Sequence, residues 1–235
     1  MSDEMAVVVG VGSGLGSALV RTFSQHGYTV LAAARNATAV EELFGPNERD
    51  RVIPVGCDAT DPIQVEKLFG RVEQQQALLR VAIFNAGIFS RANVADTDPE
   101  DFEHCWRVGC FGGFLVGREA ARIMMRQGTG TIIFTGATAS LRGGAGFANL
   151  ASPKFALRAV AQSMARELGP RGIHVAHVVI DGQIHSSRSA KLVEERGPDS
   201  LLEPGAIAEA YLALHRQHRS AWSHELDLRP WVEKF

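Results

Sequence analysis

Glycines near the start of the chain have the spacing of a phosphate-binding turn. They follow the apolar run 6–9 directly. A buried strand that enters such a turn and then a helix lets backbone N–H groups approach a pyrophosphate at the positive end of the helix. An ordinary strand-to-helix turn is the alternative interpretation. The predicted phosphate-binding segment comprises Gly10, Gly12, Ser13, Gly14, Leu15 and Gly16.

The end of the second predicted strand indicates which dinucleotide would bind. Folds that prefer NAD usually place a carboxylate there, which accepts hydrogen bonds from the ribose 2′-hydroxyl. This chain has Ala34 at that point and Arg35 directly after it. A guanidinium is well suited to a phosphate, so the sequence predicts NADP(H) in preference to NAD(H). The alternative is an arginine that stacks on the adenine or faces solvent.

Short apolar runs alternate with longer helical patterns along the whole chain. This alternation predicts an α/β fold, a Rossmann-type doubly wound parallel sheet of about seven strands with helices on both faces. The predicted strands are 5–10, 28–34, 51–56, 80–84, 130–135, 173–180 and 224–228. The predicted helices are 14–26, 37–44, 62–76, 99–127, 150–168 and 205–217.

No linker divides the chain, so residues 1–235 are predicted to form one domain. The polar stretch 181–204 is the least regular, and we predict a substrate loop or lid with one short helix there. Residues 221–235 are predicted to form a C-terminal strand and an aromatic-rich tail. That tail either contacts another subunit, closes the active site or packs on its own domain.

Composition argues against several classes of partner. The formal net charge of −2 gives no basic patch for nucleic acid. No apolar run reaches the ~18 residues that span a membrane. The three cysteines lack metal-ligand spacing, so we predict no metal, and they fit a reducing compartment. The first residues lack the basic region of a signal peptide, so we predict a cytoplasmic location.

Four motifs together resemble one known family. The glycines 10, 14 and 16 have the spacing of the short-chain dehydrogenase/reductase superfamily, and segment 57–61 is similar to its adenine-contacting segment. Residues 84–87, Phe-Asn-Ala-Gly, resemble the turn after its fourth strand. Lys154 lies where the lysine of its Tyr-x-x-x-Lys motif would stand. The resemblance extends over nearly the whole chain and implies a nicotinamide dinucleotide as cofactor.

The resemblance also implies roles for single residues. Each has a simpler interpretation when taken alone, because Asp58 can cap a turn, Asn85 can adopt a left-handed turn conformation and Lys154 can be a solvated helix residue. The order of the motifs favours cofactor binding. The residues implied to bind the cofactor, besides the glycine turn and Arg35, are Asp58, Ala59, Asn85, Ala86, Gly87, Lys154, Gly182 and Ile184.

The implied catalytic site departs from the family. The family uses a tyrosine as proton donor, a serine on the same substrate oxygen, a lysine on the nicotinamide ribose and an asparagine in the long helix. At these positions the chain carries Leu150, Ala137, Lys154 and Gly109, so only the lysine is retained. Tyr28 and Tyr211 are the only tyrosines, and they are predicted in the second strand and in a late helix.

Other polar groups could replace the missing tyrosine. Lys154, beside the apolar Leu150, could be desolvated and donate the proton itself, because burial lowers the pKa of a lysine. A loop histidine titrates near neutrality, although a lone histidine on a loop is more often an ordinary surface residue. The side chains considered as possible substitutes are Thr138, Ser140 and His185.

Two functions fit these observations. The first is an NADP(H)-dependent oxidoreductase that acts on a small carbonyl or related substrate with a non-standard proton donor. The alternative is a catalytically silent NADP(H)-binding sensor or structural subunit. Non-redox chemistry on the same fold is a third possibility, which the intact glycine turn disfavours. The resemblance further implies a homodimer or homotetramer.

Overall fold

Seven strands form one parallel sheet in the order β3-β2-β1-β4-β5-β6-β7. The computed structural model describes residues 4–186 and 189–233. The strands are β1 Glu4–Val9, β2 Thr29–Ala34, β3 Val52–Gly56, β4 Leu78–Phe84, β5 Gly130–Thr135, β6 Ile173–Ile180 and β7 Glu225–Leu228. The predicted doubly wound parallel sheet is confirmed.

Helices connect the strands and cover both faces of the sheet. The helices α3, α5 and α6 pack on one face, and α1 and α8 pack on the other. Their bounds are α1 Leu15–Gln25, α2 Ala37–Glu41, α3 Pro62–Gln74, α4 Pro99–Trp106, α5 Gly112–Gln127, α6 Ala148–Leu168, α7 Ala190–Arg196 and α8 Pro204–His215. No described helix is both long and apolar enough to cross a membrane.

The middle of the sheet forms the core because helices cover it on both sides. All eight residues of β6 are buried, which explains why this strand is a continuous apolar run with two histidines rather than an alternating pattern. Every strand runs in the same direction. The carboxyl ends of the strands therefore meet at one edge, where the loops after β1 to β6 converge.

The structure corrects the predicted long helix 99–127. It is divided into α4 and α5 by a π-helical segment over Arg107–Phe111. Such π segments are frequent at functional sites. The irregular stretch 181–204 does contain a short helix, α7, and its two ends are joined by a bridge between Ile184 and Leu202. Residues 187–188 of the predicted lid and 234–235 of the predicted tail lie outside the described residues.

Candidate active site

The glycine turn after β1 is open on one side and tightly packed on the other. Gly10 has φ +95°, and a Cβ there would lie 2.4 Å from the amide nitrogen of Ala86. A Cβ at Gly16 would lie 2.7 Å from the carbonyl oxygen of Gly10. Among the described atoms, nothing lies within 4 Å of a Cβ added at Gly12 or Gly14. The open side leaves room for a phosphate at the start of α1.

A cleft of about 260 Å³ begins at this turn and crosses the carboxyl edge of the sheet. It brings together predicted cofactor residues from the ends of four strands, which are Gly10, Gly12, Arg35, Asp58, Ala59, Asn85, Ala86 and Gly87. Cys57, from the predicted adenine-contacting segment 57–61, also lines the cleft, whereas sequence reasoning missed Ile88 and Val108. Val108 comes from the π segment, whose position the apolar pattern did not reveal.

Asn85 fastens the turn after β4 to the glycine turn. Its side-chain amide donates to the carbonyl oxygen of Gly10 at 3.0 Å, and its backbone N–H donates to the carbonyl oxygen of Val9 at 2.8 Å. Asp58 is fixed locally, because its Oδ1 accepts from the backbone N–H and the hydroxyl of Thr60, both at 2.8 Å. These bonds hold two walls of the cleft in place.

The end of β2 carries no carboxylate. Ala34 is its last residue, and Arg35 follows as an exposed side chain on the lining of the cleft. Within the described part of the chain, the Arg35 guanidinium has no hydrogen bond or ion pair. Its charge is therefore available to an anionic group in the cleft.

Lys154 is buried at the far end of this region, in the second turn of α6. Its Nζ donates to the carbonyl oxygen of Thr135 at 2.7 Å, and it lies 3.7 Å from the position of a Cβ on Gly87. Only 6% of the residue is exposed. Burial lowers the pKa of Lys154 to about 8, because removal from water disfavours the charged form. The ammonium can thus lose its proton near neutral pH.

The side chains around Lys154 are apolar at the positions where the resemblance implied polar ones. Leu150 precedes it by one helical turn and is half-buried, as is Ala137 in the loop after β5. Gly109 is buried in the π segment, and a Cβ there would lie 2.8 Å from Cβ of Pro153. Pro153 therefore fills the space into which a larger residue at position 109 would extend.

Comparisons with known proteins identify the family. Residues 4–196 match the model of the short chain dehydrogenase family. The chain belongs to this family. It is 31% identical to 3-oxoacyl-[acyl-carrier-protein] reductase MabA of Mycobacterium tuberculosis over 205 residues, which are 87% of this chain and 76% of MabA. The match places the protein among the short-chain dehydrogenase/reductase oxidoreductases.

Solved structures agree with this assignment. A short-chain dehydrogenase from Rhodopseudomonas palustris is 39% identical and superposes with a TM-score of 0.84 over 97% of this chain and 99% of that one. The structure of ElxO with NADP bound superposes with a TM-score of 0.86 over 98% of both chains. At 20% identity, this second likeness shows the fold alone.

In this short-chain dehydrogenase, two of the side chains considered as substitutes for the missing tyrosine already form hydrogen bonds within the protein. Ser140 has no exposed surface, and its hydroxyl accepts from the backbone N–H of Ala137 at 3.1 Å. The Thr138 hydroxyl donates to the carboxylate of the buried Asp181 at 2.5 Å. Asp181 in turn lies 3.2 Å from the Arg229 guanidinium. A hydroxyl has one proton, so Thr138 in this arrangement can accept but not donate another hydrogen bond.

The loop after β6 carries the remaining residues that the sequence singled out. His185 Nδ1 lies 2.8 Å from a carboxylate oxygen of Glu203, and its side chain is 38% exposed. Gly182 has φ +146° and packs against Pro230, which keeps this loop close to the tail. Neither Gly182 nor Ile184 lines the cleft. In the described residues, no group of three or more potential metal ligands occurs.

Tyr211, which the sequence predicts in a late helix, contacts the same residue as Lys154, but on the opposite face of β5. Its hydroxyl shares a 2.9 Å hydrogen bond with the Thr135 side chain, while Lys154 contacts the Thr135 carbonyl. The tyrosine has no exposed surface, and burial raises its pKa far above the usual value. The hydroxyl is therefore sealed from any substrate.

Sequence reasoning also missed the reason for a glycine at position 136. His177 of β6 is fully buried, and a Cβ on Gly136 would lie 2.4 Å from its Nε2. The other ring nitrogen lies 3.3 Å from a carboxylate oxygen of Glu225 on β7. Burial lowers the pKa of His177 to about 4, so the ring is neutral near pH 7. A neutral imidazole thus packs against Gly136, at the start of the loop after β5.

Proposed function

We propose that this protein is an NADP(H)-dependent oxidoreductase that reduces a small carbonyl or related substrate, with Lys154 as its proton donor. The observation that carries the proposal is the buried Lys154 ammonium near the predicted cofactor residue Gly87. Its lowered pKa makes proton transfer near neutral pH feasible.

The cofactor is proposed to lie along the cleft with its pyrophosphate on the open side of Gly12 and Gly14. The positive end of α1 and the bare backbone amides favour an anion there. Arg35 would hold the 2′-phosphate, since no carboxylate stands at the end of β2 to repel it. ElxO, which has the same fold, was solved with NADP bound, and this supports a nicotinamide dinucleotide.

Lys154 has enough donors for two tasks. An ammonium carries three N–H groups, and one of them is used by the Thr135 carbonyl. The remaining two can bind a ribose hydroxyl and the substrate oxygen. The nicotinamide ring, when bound, supplies the hydride. Lys154 then gives a proton to the oxygen and regains it from solvent, so the carbonyl gains one hydride and one proton in total.

The surroundings of Lys154 favour an uncharged substrate. Leu150, one helical turn before Lys154, and Ala137 are apolar and half-buried. Phe89, at 70% exposure, packs edge-on against Phe147. Apolar walls with one polar group that fixes orientation are typical of small-molecule sites. The relatives MabA and carbonyl reductase family member 4 of Danio rerio are named for reduction of carbonyl compounds.

The test begins with binding and proceeds to turnover. NADPH and NADH are titrated by nicotinamide fluorescence, and carbonyls, quinones and imines are then screened for cofactor oxidation by absorbance. Saturable NADPH binding with turnover of at least one carbonyl is expected. Binding without turnover across the screen would favour the sensor or structural subunit, a function supported by the apolar Ala137 and Leu150. Absence of binding would contradict both functions.

We further propose that the protein associates with itself through α4 and α5. Three large aromatic side chains on these helices are more than a third exposed, and aromatic residues are enriched at protein interfaces. They are Phe102, Trp106 and Phe114. Light scattering on the wild type and on Phe114→Glu should show a dimer or tetramer that dissociates in the variant.

A further inference from the structure

A second cavity lies at the amino-terminal edge of the sheet, opposite the candidate active site. Its volume is about 540 Å³, roughly twice that of the cofactor cleft. It lies at the starts of β1, β2 and β5 and beside the chain segment that follows α8. The function proposed above does not use any of its residues.

Partly buried hydrogen bonds form the floor of this cavity. His215 at the end of α8 connects the Tyr28 hydroxyl, 3.0 Å from Nε2, to the Thr131 hydroxyl, 2.9 Å from Nδ1. Burial, followed by the charges of Arg80 and Arg216, lowers the pKa of His215 to about 4. The imidazole is therefore neutral at physiological pH, and the floor is polar, uncharged and fixed in position.

Positive charge surrounds this floor. Arg80, Arg216 and Arg219 all line the cavity, whereas Glu4 is the single carboxylate that residues 4–186 and 189–233 contribute to its lining. Glu4 pairs with Arg80 at 2.7 Å. Neither Arg216 nor Arg219 forms an ion pair with any described residue. Two guanidinium groups in one concave site thus lack counter-charges from the part of the chain that the structure describes.

The rim that carries these arginines is ordered. The side chain of Gln217 donates to the Ser223 hydroxyl at 2.9 Å and accepts from its backbone N–H at 2.7 Å. The Trp222 ring stacks on His174 with centroids 4.9 Å apart and an interplanar angle of 3°. Because these contacts fix the rim in position, less conformational entropy of the protein is lost when a ligand binds.

We propose that this cavity binds a small polyanion that carries phosphate or carboxylate groups. Guanidinium groups bind both through paired, charge-assisted hydrogen bonds. The neutral floor of Tyr28, His215 and Thr131 offers further polar contacts without adding charge. The inference stands apart from the proposed oxidoreductase function, because no residue is shared between the two sites.

Trp222 provides a local probe for the test. The chain has three tryptophans, so Trp106→Phe with Trp231→Phe leaves Trp222 as the only one, on the wall of the cavity. This variant is titrated with inorganic phosphate and, separately, with citrate, and sodium chloride at matched ionic strength is the control. A saturable change in emission is expected with at least one of the two anions, and the anion that saturates identifies the ligand class.

Arginine variants in the same background decide whether the cavity is the site. Arg216→Gln combined with Arg219→Gln should weaken binding by about ten-fold or more. Arg71→Gln, which alters an exposed arginine of α3 outside the cavity, should leave binding unchanged. Thermal midpoints confirm that each variant is folded. The proposal is overturned if neither anion saturates, if sodium chloride gives the same change, or if the double variant binds as the wild type does.

Discussion

The Lys154 ammonium and the Thr135 carbonyl are joined by a 2.7 Å hydrogen bond at the end of strand β5. This bond holds a cation that is almost completely removed from water, and burial lowers its pKa to about 8. The same threonine is bonded through its side chain to Tyr211 on the other face of the sheet. One residue thus positions the lysine and closes off the tyrosine.

The lowered pKa of Lys154 predicts a pH dependence of carbonyl reduction. A proton donor must be protonated, so kcat/KM should be constant at low pH and fall as the pH rises through about 8. Lys154→Met should lower kcat by ~10²–10⁴. The measurement is a pH–rate profile, with NADPH affinity determined in parallel. A variant that keeps both its rate and the decline at high pH would refute the role of Lys154.

Arg35 is expected to determine which cofactor binds. Arg35→Asp replaces the proposed 2′-phosphate contact by a carboxylate that repels phosphate and can accept from a 2′-hydroxyl. The ratio of NADPH to NADH affinity should fall by about ten-fold to a hundred-fold, the size of a lost charge-assisted contact. Arg71→Asp in α3 is the matched control, because it makes the same charge change outside the cleft. Equal ratios in the two variants would remove the argument for NADP(H).

Gly109→Asn tests the close packing of the π segment on α6. A Cβ at this position would lie 2.8 Å from Cβ of Pro153, so the substitution should lower the free energy of unfolding by about 1–3 kcal/mol. Pro153→Gly removes that Cβ, and in that background the cost of Gly109→Asn should shrink. Urea denaturation of the two single variants and the double variant measures this coupling. Additive effects would show that the contact with Pro153 does not restrict the size of the side chain at position 109.

Tyr211→Phe separates a structural tyrosine from a catalytic one. The change leaves the buried Thr135 hydroxyl without its bonded partner, which should cost about 1–3 kcal/mol of stability. Adding Thr135→Val removes both polar groups and should recover much of that loss. Turnover should persist in the folded variant, as in the control Tyr28→Phe, which deletes a hydroxyl at the far edge of the sheet. Selective loss of turnover in Tyr211→Phe would make Tyr211 the proton donor.

Local patterns in the sequence determined the sheet and much of the cleft at its carboxyl edge. A glycine turn, apolar runs and helix starts depend on neighbouring residues, so the strands and the cleft residues at the ends of β1 to β4 could be predicted. The resemblance likewise indicated Lys154 as the retained residue. The break of the helix 99–127 at the π segment could not be predicted, because the segment packs against Pro153 of another helix and local periodicity does not reveal that contact.

The chemical state of the site depends on contacts between distant parts of the chain. Thr138 is bonded to Asp181 and Thr135 to Tyr211, across 43 and 76 positions, and neither pairing follows from periodicity. Periodicity fixes which face of an element is buried, but not which polar groups meet there. Only packing against the sheet decides that Lys154 loses water while Tyr211 is closed off on the opposite face. Burial depth, which sets both pKa values, is a property of the assembled fold.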